Sequence, residues 1–188
     1  MFRFRGHLPM LMPDILDGLI ELSNLKYRRH AKILESGQRS VYHANEVGSS
    51  RSLVLKVCLL DASSAARMRR EIKILSSINS EYFPKIEFFS VFSSDQISQY
   101  MDRISHPAKD IAHLPILLTF EEYIEHLDWK QCMVSFSRQE QIIPLLEHIF
   151  KALIQLWSRN IIHRDVKPPN ILIRPSNIPV LIDLGIAK

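Results

Sequence analysis

Late in the chain an apolar helix-forming run leads into a loop of charged and polar residues, and this order restricts the fold more than any bulk property. Residues 139–158 place Ile142, Ile143, Leu145, Leu146, Ile149, Phe150, Leu153, Ile154, Leu156 and Trp157 on one wide stripe. Such a stripe predicts a largely buried helix. The loop His163-Arg164-Asp165-Val166-Lys167-Pro168-Pro169-Asn170 follows. Ile171-Leu172-Ile173 and Val180-Leu181-Ile182 then predict a short hairpin around Pro175-Ser176-Asn177. A hairpin there returns the chain, and with it Asp183-Leu184-Gly185, toward the loop it left.

Taken singly, these residues say little. A loop Asp is usually a turn or cap residue, and an Asp-Leu-Gly tripeptide is common. Their joint spacing is more specific. Asp165 can orient a hydroxyl nucleophile, and Lys167, two residues on, can neutralise a moving phosphoryl group. Asn170 and Asp183 can hold magnesium. Residue type, spacing and expected local structure thus converge on phosphoryl transfer.

The N-terminal half supplies strands. Residues 13–25 put Ile15, Leu16, Leu19, Ile20 and Leu22 on one helical face, with Pro13 in the first turn. The basic run Lys26, Arg28, Arg29, His30 and Lys32 reads as a solvated surface. Strands are expected at 31–35, 40–45, 52–58, 86–92 and 115–120, and a helix at 62–78. Residues 93–113 are polar and without clear period, and read as an insertion or long loop. Strands with one helix followed by helices, loop and hairpin make an α+β chain, a small sheet lobe and then a helical lobe.

Bulk numbers agree with an ordinary globular chain: 188 residues, 46% hydrophobic, 23% charged, net charge +4. That charge suits an anionic ligand but is too weak to argue for nucleic acid. Two cysteines, Cys58 and Cys132, imply neither a disulfide framework nor a Cys-rich metal site, so a reduced cytoplasmic setting is the expectation. No run of eighteen apolar residues and no cleavable leader is evident, so neither a membrane span nor a signal peptide is expected.

The stretch Ile161–Ile173 with Ile182-Asp183-Leu184-Gly185 resembles the catalytic core of eukaryotic-type protein kinases, and Lys167-Pro168 resembles the serine/threonine branch. The resemblance implies a protein-kinase-like fold, an antiparallel N-terminal sheet lobe with one helix and an incomplete, mainly helical C-terminal lobe. Its implied divisions are a helical extension over 1–27, the N-lobe over 28–122 and part of the C-lobe over 123–188. It implies ATP and Mg2+ as cofactors and a protein hydroxyl as acceptor. Asp165 would be the catalytic base and Lys167 would contact the transferred group, while Asn170 and Asp183 would carry the metal. His163 would pack in the loop's base. Leu53-Val54-Leu55-Lys56 resembles the family's lysine strand, so Lys56 would hold the α- and β-phosphates and pair with Glu71.

Val41 matches the valine of the family's glycine-rich loop, but that loop departs from the pattern. The three expected glycine positions hold Leu34, Ser36 and Arg39, and Gly37 alone remains, at a different place. Loss of glycine stiffens a phosphate-cradling loop and keeps backbone amides away from the ligand. Glu122 and Tyr123, in Glu121-Glu122-Tyr123-Ile124, resemble the segment whose backbone holds adenine.

Only Ile186, Ala187 and Lys188 follow Gly185 in this sequence, which therefore lacks the family's activation segment, the usual partner of Arg164, and its substrate platform. The expectation is a marginally stable unit whose apolar helix is covered by a partner chain or by self-association. A serine/threonine kinase is the first functional reading. A non-catalytic kinase-like binding module is the alternative, and a small-molecule kinase fits the Lys167-Pro168 pair poorly.

Overall fold

The computed structural model describes residues 13–36, 39–104, 114–127, 132 and 139–188. These fall into two units. The first takes in residues up to Ala65 together with Ile86–Glu122, and the second takes in Ala66–Lys85 and Tyr123–Lys188.

The first unit is a five-stranded antiparallel sheet. Its strands are β1 (Tyr27–Ser36), β2 (Arg39–Glu46), β3 (Ser52–Leu59), β4 (Ile86–Phe92) and β5 (Ile116–Glu122), in the spatial order β1-β2-β3-β5-β4. Helix α1 (Pro13–Leu22) and a helix over Ser94–Arg103 belong to the same unit. Helix α2 (Ala62–Ser77) begins in this unit and continues into the second.

Side chains on a strand alternate between faces, and here the two faces differ. Leu53, Leu55 and Val57 of β3 join Ile116, Leu118 and Phe120 of β5, and this face is closed by Ile15, Leu16, Leu19 and Ile20 of α1 and by Ile97 and Met101. Tyr27 of β1 stacks on Phe120, with ring centroids 4.4 Å apart. Arg29 ties β1 to α1 through a two-point contact, Nε to Asp17 Oδ1 and Nη2 to Asp17 Oδ2, both at 3.0 Å. By the same alternation Val54, Lys56, Thr119 and Glu121 share the opposite face.

The long loop expected over 93–113 is corrected in its first half. Ser94–Arg103 is a helix, α3. Ser93 caps it, accepting from the Gln96 amide while the Gln96 side chain accepts from the Ser93 amide. This is a capping box, and Ile97 and Met101 lie four apart on the buried side. With polar residues on the other three sides of each turn, two apolar anchors suffice. Residues 105–113 lie outside the described residues. Gly18 of α1 has a packing reason: a Cβ there would overlap the Tyr100 ring of α3. The glycine costs α1 about 1 kcal/mol in helix propensity and admits the ring instead.

The second unit contains most of α2, helix α4 (Gln139–Trp157), a short 3-10 turn at Pro168–Asn170, and a hairpin of β6 (Ile171–Ile173) with β7 (Pro179–Leu181). Asn177, with φ 62°, makes the tight turn. Leu145 and Ile173 pack with Cys132, and Ile149 and Leu127 rest against them. The expectation of a largely buried α4 does not hold. Leu145, Ala152 and Leu156 are buried, whereas Ile143, Leu146, Phe150, Ile154 and Trp157 are exposed. Among the described residues the stripe read from sequence is wider than the surface on which the helix rests, which includes β7 and Ile173.

Candidate active site

In the second unit the loop between α4 and β6 converges on Asp165. Lys167 Nζ lies 2.8 Å from Asp165 Oδ2. Asn170 Nδ2 donates to the same Oδ2 at 2.8 Å and to the Asp165 backbone carbonyl at 2.9 Å. Both acceptors require a donor, so the amide orientation of Asn170 is fixed, leaving Oδ1 as its acceptor. Asn170 is buried, and its own carbonyl accepts from Ile182 N–H at 3.0 Å. The residue before Asp183 is thereby bonded to the residue that holds Asp165.

Pro168 and Pro169 explain the local geometry. A proline at the first position of the turn costs no amide bond, and Asn170 N–H closes the turn onto the Lys167 carbonyl at 2.9 Å. Arg164 and Asp183 both lie in the left-handed region, with φ of 68° and 64°. That region costs a non-glycine residue about 1–2 kcal/mol, and such conformations persist where surrounding bonds over-determine them.

His163 supplies some of those bonds. It is buried, its Nδ1 accepts from Asp165 N–H at 3.3 Å, and its Nε2 faces the Ile182 carbonyl at 3.2 Å. An amide only donates and a carbonyl only accepts, so the ring is the neutral tautomer with its proton on Nε2. Burial pushes the His163 pKa below its ordinary value, against the opposing pull of the Ile182 hydrogen bond and the Asp183 and Asp165 charges.

The unfolded chain therefore takes up this proton first as pH falls. Stability is fully present above the ordinary histidine range and declines below it. The urea midpoint of the wild type is expected to fall between pH 7.5 and 5.5 more steeply than that of His163→Gln. Equal slopes would exclude this account.

The Lys167 ammonium, followed by the Asn170 amide, holds the Asp165 carboxyl below the usual carboxylate range. Asp165 is accordingly an anion at neutral pH, with its oxygens oriented by two donors.

Glu71 of α2 is buried in the same unit. A Cβ at Gly185 would sit 3.4 Å from Asp183 Oδ1 and 3.6 Å from Glu71 Oε2, so both carboxylates flank this glycine. Arg70 Nη1 donates to the Gly185 carbonyl at 3.3 Å. Past α2, the Tyr82 carbonyl accepts from Leu181 N–H at 2.8 Å, and Tyr82 Oη and His148 Nδ1 are 2.9 Å apart. The helix carrying Glu71 is thus fastened to the strand that leads to Asp183.

Lys56 lies in the sheet unit, on β3. Val41 of β2 and Thr119 of β5 are its register neighbours on the two sides. Its ammonium is 2.7 Å from Glu121 Oε2, and both side chains are largely buried, 12% and 3% exposed. Sequence reasoning placed Glu121 in the Glu-Glu-Tyr segment without giving it this contact. The available signal was register: Glu121 is an acid two places along β5 from Thr119, the residue opposite Lys56, and so on the same face. Glu122 is opposite Leu53 at the end of β5, and Tyr123 opens the later segment of the second unit. Gly37 lies outside the described residues.

Among the described residues no three His, Cys, Asp or Glu side chains cluster as a metal cage. Magnesium does not require one. It takes one or two carboxylates and keeps water and phosphate oxygens, and the hard-oxygen set of Asp183 and Asn170 fits that chemistry.

The family model described as the protein kinase domain matches residues 27–188. The chain belongs to the protein kinase family. Similarity is spread over most of this kinase domain sequence in "Serine/threonine-protein kinase pkn3" of Myxococcus xanthus, 29% identical over 95% of the chain and 31% of the relative. "Protein kinase gsk31" of Schizosaccharomyces pombe is 29% identical over 84% of the chain and 38% of the relative. A shorter match, 45% identical over 27% of the chain and 17% of the relative, is to "Serine/threonine-protein kinase 16" of Mus musculus. The chain spans less than two fifths of each of these relatives. ATP, a divalent metal and a protein substrate are general properties of that family. Among the described residues no helix is long and apolar enough to cross a membrane.

Proposed function

We propose that the chain is the nucleotide- and metal-handling part of a serine/threonine protein kinase, transferring the γ-phosphoryl group of ATP to a protein hydroxyl. Asp165 orients the acceptor hydroxyl and takes its proton. Lys167 meets the transferring group. Asn170 Oδ1 and Asp183 would hold Mg2+, which would supply positive charge against the charge that develops on the transferring group. Lys56, paired with Glu71 in this reading, meets the α- and β-phosphates. Val41 and Gly37 cover the nucleotide, and Glu122 and Tyr123 hold adenine. Cys58 and Cys132, both buried as thiols, support a reducing, cytoplasmic location.

The observation that carries this reading is the three-way contact of Lys167 and Asn170 on Asp165. A carboxylate held below its ordinary pKa is a weak base at neutral pH. It serves better by aligning the hydroxyl than by removing the proton early, as a loose phosphoryl-transfer transition state asks. The test is transfer of label from γ-labelled ATP, with Mg2+, to a mixed protein substrate, followed by phosphoamino-acid analysis. Labelled phosphoserine or phosphothreonine, lost on chelation and in Lys56→Met, is expected. No transfer and no magnesium-dependent ATP binding would refute the kinase reading.

A second reading, a kinase-like binding module without turnover, is favoured by the buried Lys56–Glu121 pair and by Leu34, Ser36 and Arg39 at the glycine positions. It predicts nucleotide or partner binding with no transfer. The exposed side of α4 supports a covering protein, whether another chain or a second copy.

A further inference from the structure

Three polar side chains interrupt the β3–β5 face that carries Lys56. Lys56 lies opposite Thr119, and Glu121 sits one strand repeat further along β5 on the same face. Lys56 and Glu121 meet at 2.7 Å with little solvent access. The Thr119 hydroxyl is fully buried without a hydrogen-bond partner among the described residues. A buried hydroxyl in that condition is rare.

We infer that Glu121 is an internal counter-ion that competes with nucleotide phosphate for Lys56, setting how tightly this chain takes up ATP. The inference rests on the nucleotide reading of Lys56 given above. Its physical basis is charge. With a carboxylate in direct contact, the Lys56–Glu121 pair presents no net positive charge to an incoming phosphate. The phosphate also has to approach a like charge in a poorly hydrated setting, where screening by water and salt is weak. For Lys56 to serve a phosphate oxygen, its bond to Glu121 must lengthen or be shared. Thr119 is placed to ease that exchange, since its hydroxyl faces the same strand pair and can donate to the carboxylate that Lys56 releases. Glu121 is thus a positioning residue, acting on the nucleotide through Lys56.

Two effects of neutralising Glu121 run in opposite directions. Removing one member of a buried ion pair leaves the other charge poorly compensated, so Glu121→Gln is expected to lower the melting temperature of the nucleotide-free chain. The same change removes the competitor, so Mg-ATP is expected to bind about tenfold or more tightly, the order produced by one nearby charge at the dielectric of a partly buried site. A merely structural Glu121 would give the first effect without the second.

The experiment is titration of the full chain and of Glu121→Gln with Mg-ATP by calorimetry, with melting temperatures taken with and without ligand. Tighter binding by Glu121→Gln, with a larger ligand-induced rise from a lower starting point, supports the inference. Wild-type binding that is matched or weakened in Glu121→Gln overturns it while leaving the nucleotide reading intact. No binding by either chain overturns both. If Glu121→Gln does not fold, Glu121→Met, which keeps the side chain's length without its charge, carries the same comparison. Wild-type titrations at rising sodium tripolyphosphate give a further reading. With Glu121 as competitor, the wild type binds this anion at least tenfold more weakly than the neutral variant, and equal affinities overturn the inference.

Discussion

Asp165→Asn is expected to lower phosphoryl transfer by about 10²–10⁴-fold, the range for a positioned acid–base group, while changing the apparent KM for ATP only a few-fold. The substitution is nearly isosteric. It keeps a carbonyl oxygen for the Asn170 amide but removes the charge that Lys167 contacts at 2.8 Å. Because Asp165 is only partly buried, the fold should survive, and a melting curve close to that of the wild type serves as the control. Transfer within tenfold of the wild type would remove Asp165 from the chemistry. With Lys167→Met the Asp165 pKa should rise toward the ordinary carboxylate value, because the largest cause of its depression is gone. The acid edge of the activity profile should then move to higher pH. A depressed carboxyl favours the folded chain above the ordinary range and loses that contribution as pH falls through it.

Asn170→Ala is expected to cost both activity and stability. The buried amide makes two bonds to Asp165, and its loss leaves the loop carbonyl without that donor. Loss of the buried amide of Asn170 is expected to cost about 1–3 kcal/mol in urea unfolding, and transfer is expected to fall at least about 100-fold as the orientation of Asp165 relaxes. Asn170→Asp gives a sharper test. It places a second carboxylate where the amide now sits, 2.8 Å from Asp165 Oδ2. Two anions so close force one pKa upward, and a folded-state pKa above the unfolded value gives stability that is lost as pH rises. The melting temperature of Asn170→Asp should therefore increase from pH 7 to pH 5 relative to that of Asn170→Ala. Parallel curves would show that Asn170 does not face Asp165 in solution.

Much of the fold was legible because its signals are local. The β3 segment is an apolar run with one charge, Lys56, embedded in it, Pro175–Asn177 marks a turn, and Pro13 stands in the first turn of α1. The meeting of Asp165, Lys167 and Asn170 was legible, since they are close in sequence and their contact needs only one proline-led turn. Helix α3 is hidden by the polar composition of 93–113; its local signal is Ser93 and Gln96, the capping pair that starts the helix. The exposure of α4 was illegible for a different reason. A stripe of apolar residues states what a helix can bury, and only tertiary packing decides how much of it is covered. The partnership of Lys56 with Glu121 depends on which strand lies beside β3. The spatial order β3-β5-β4 is a long-range fact that no local pattern contains.

The sheet's first core has a practical consequence for anyone choosing where to begin expression. The family match starts at residue 27, but Ile15, Leu16, Leu19 and Ile20 are fully or almost fully buried against Leu53, Leu55, Val57 and Phe120. A gene trimmed to the recognised domain boundary would strip that cover and leave an apolar sheet face open to solvent, a form prone to precipitation. Boundaries for recombinant work on this chain are better drawn ahead of Pro13 than at the first strand.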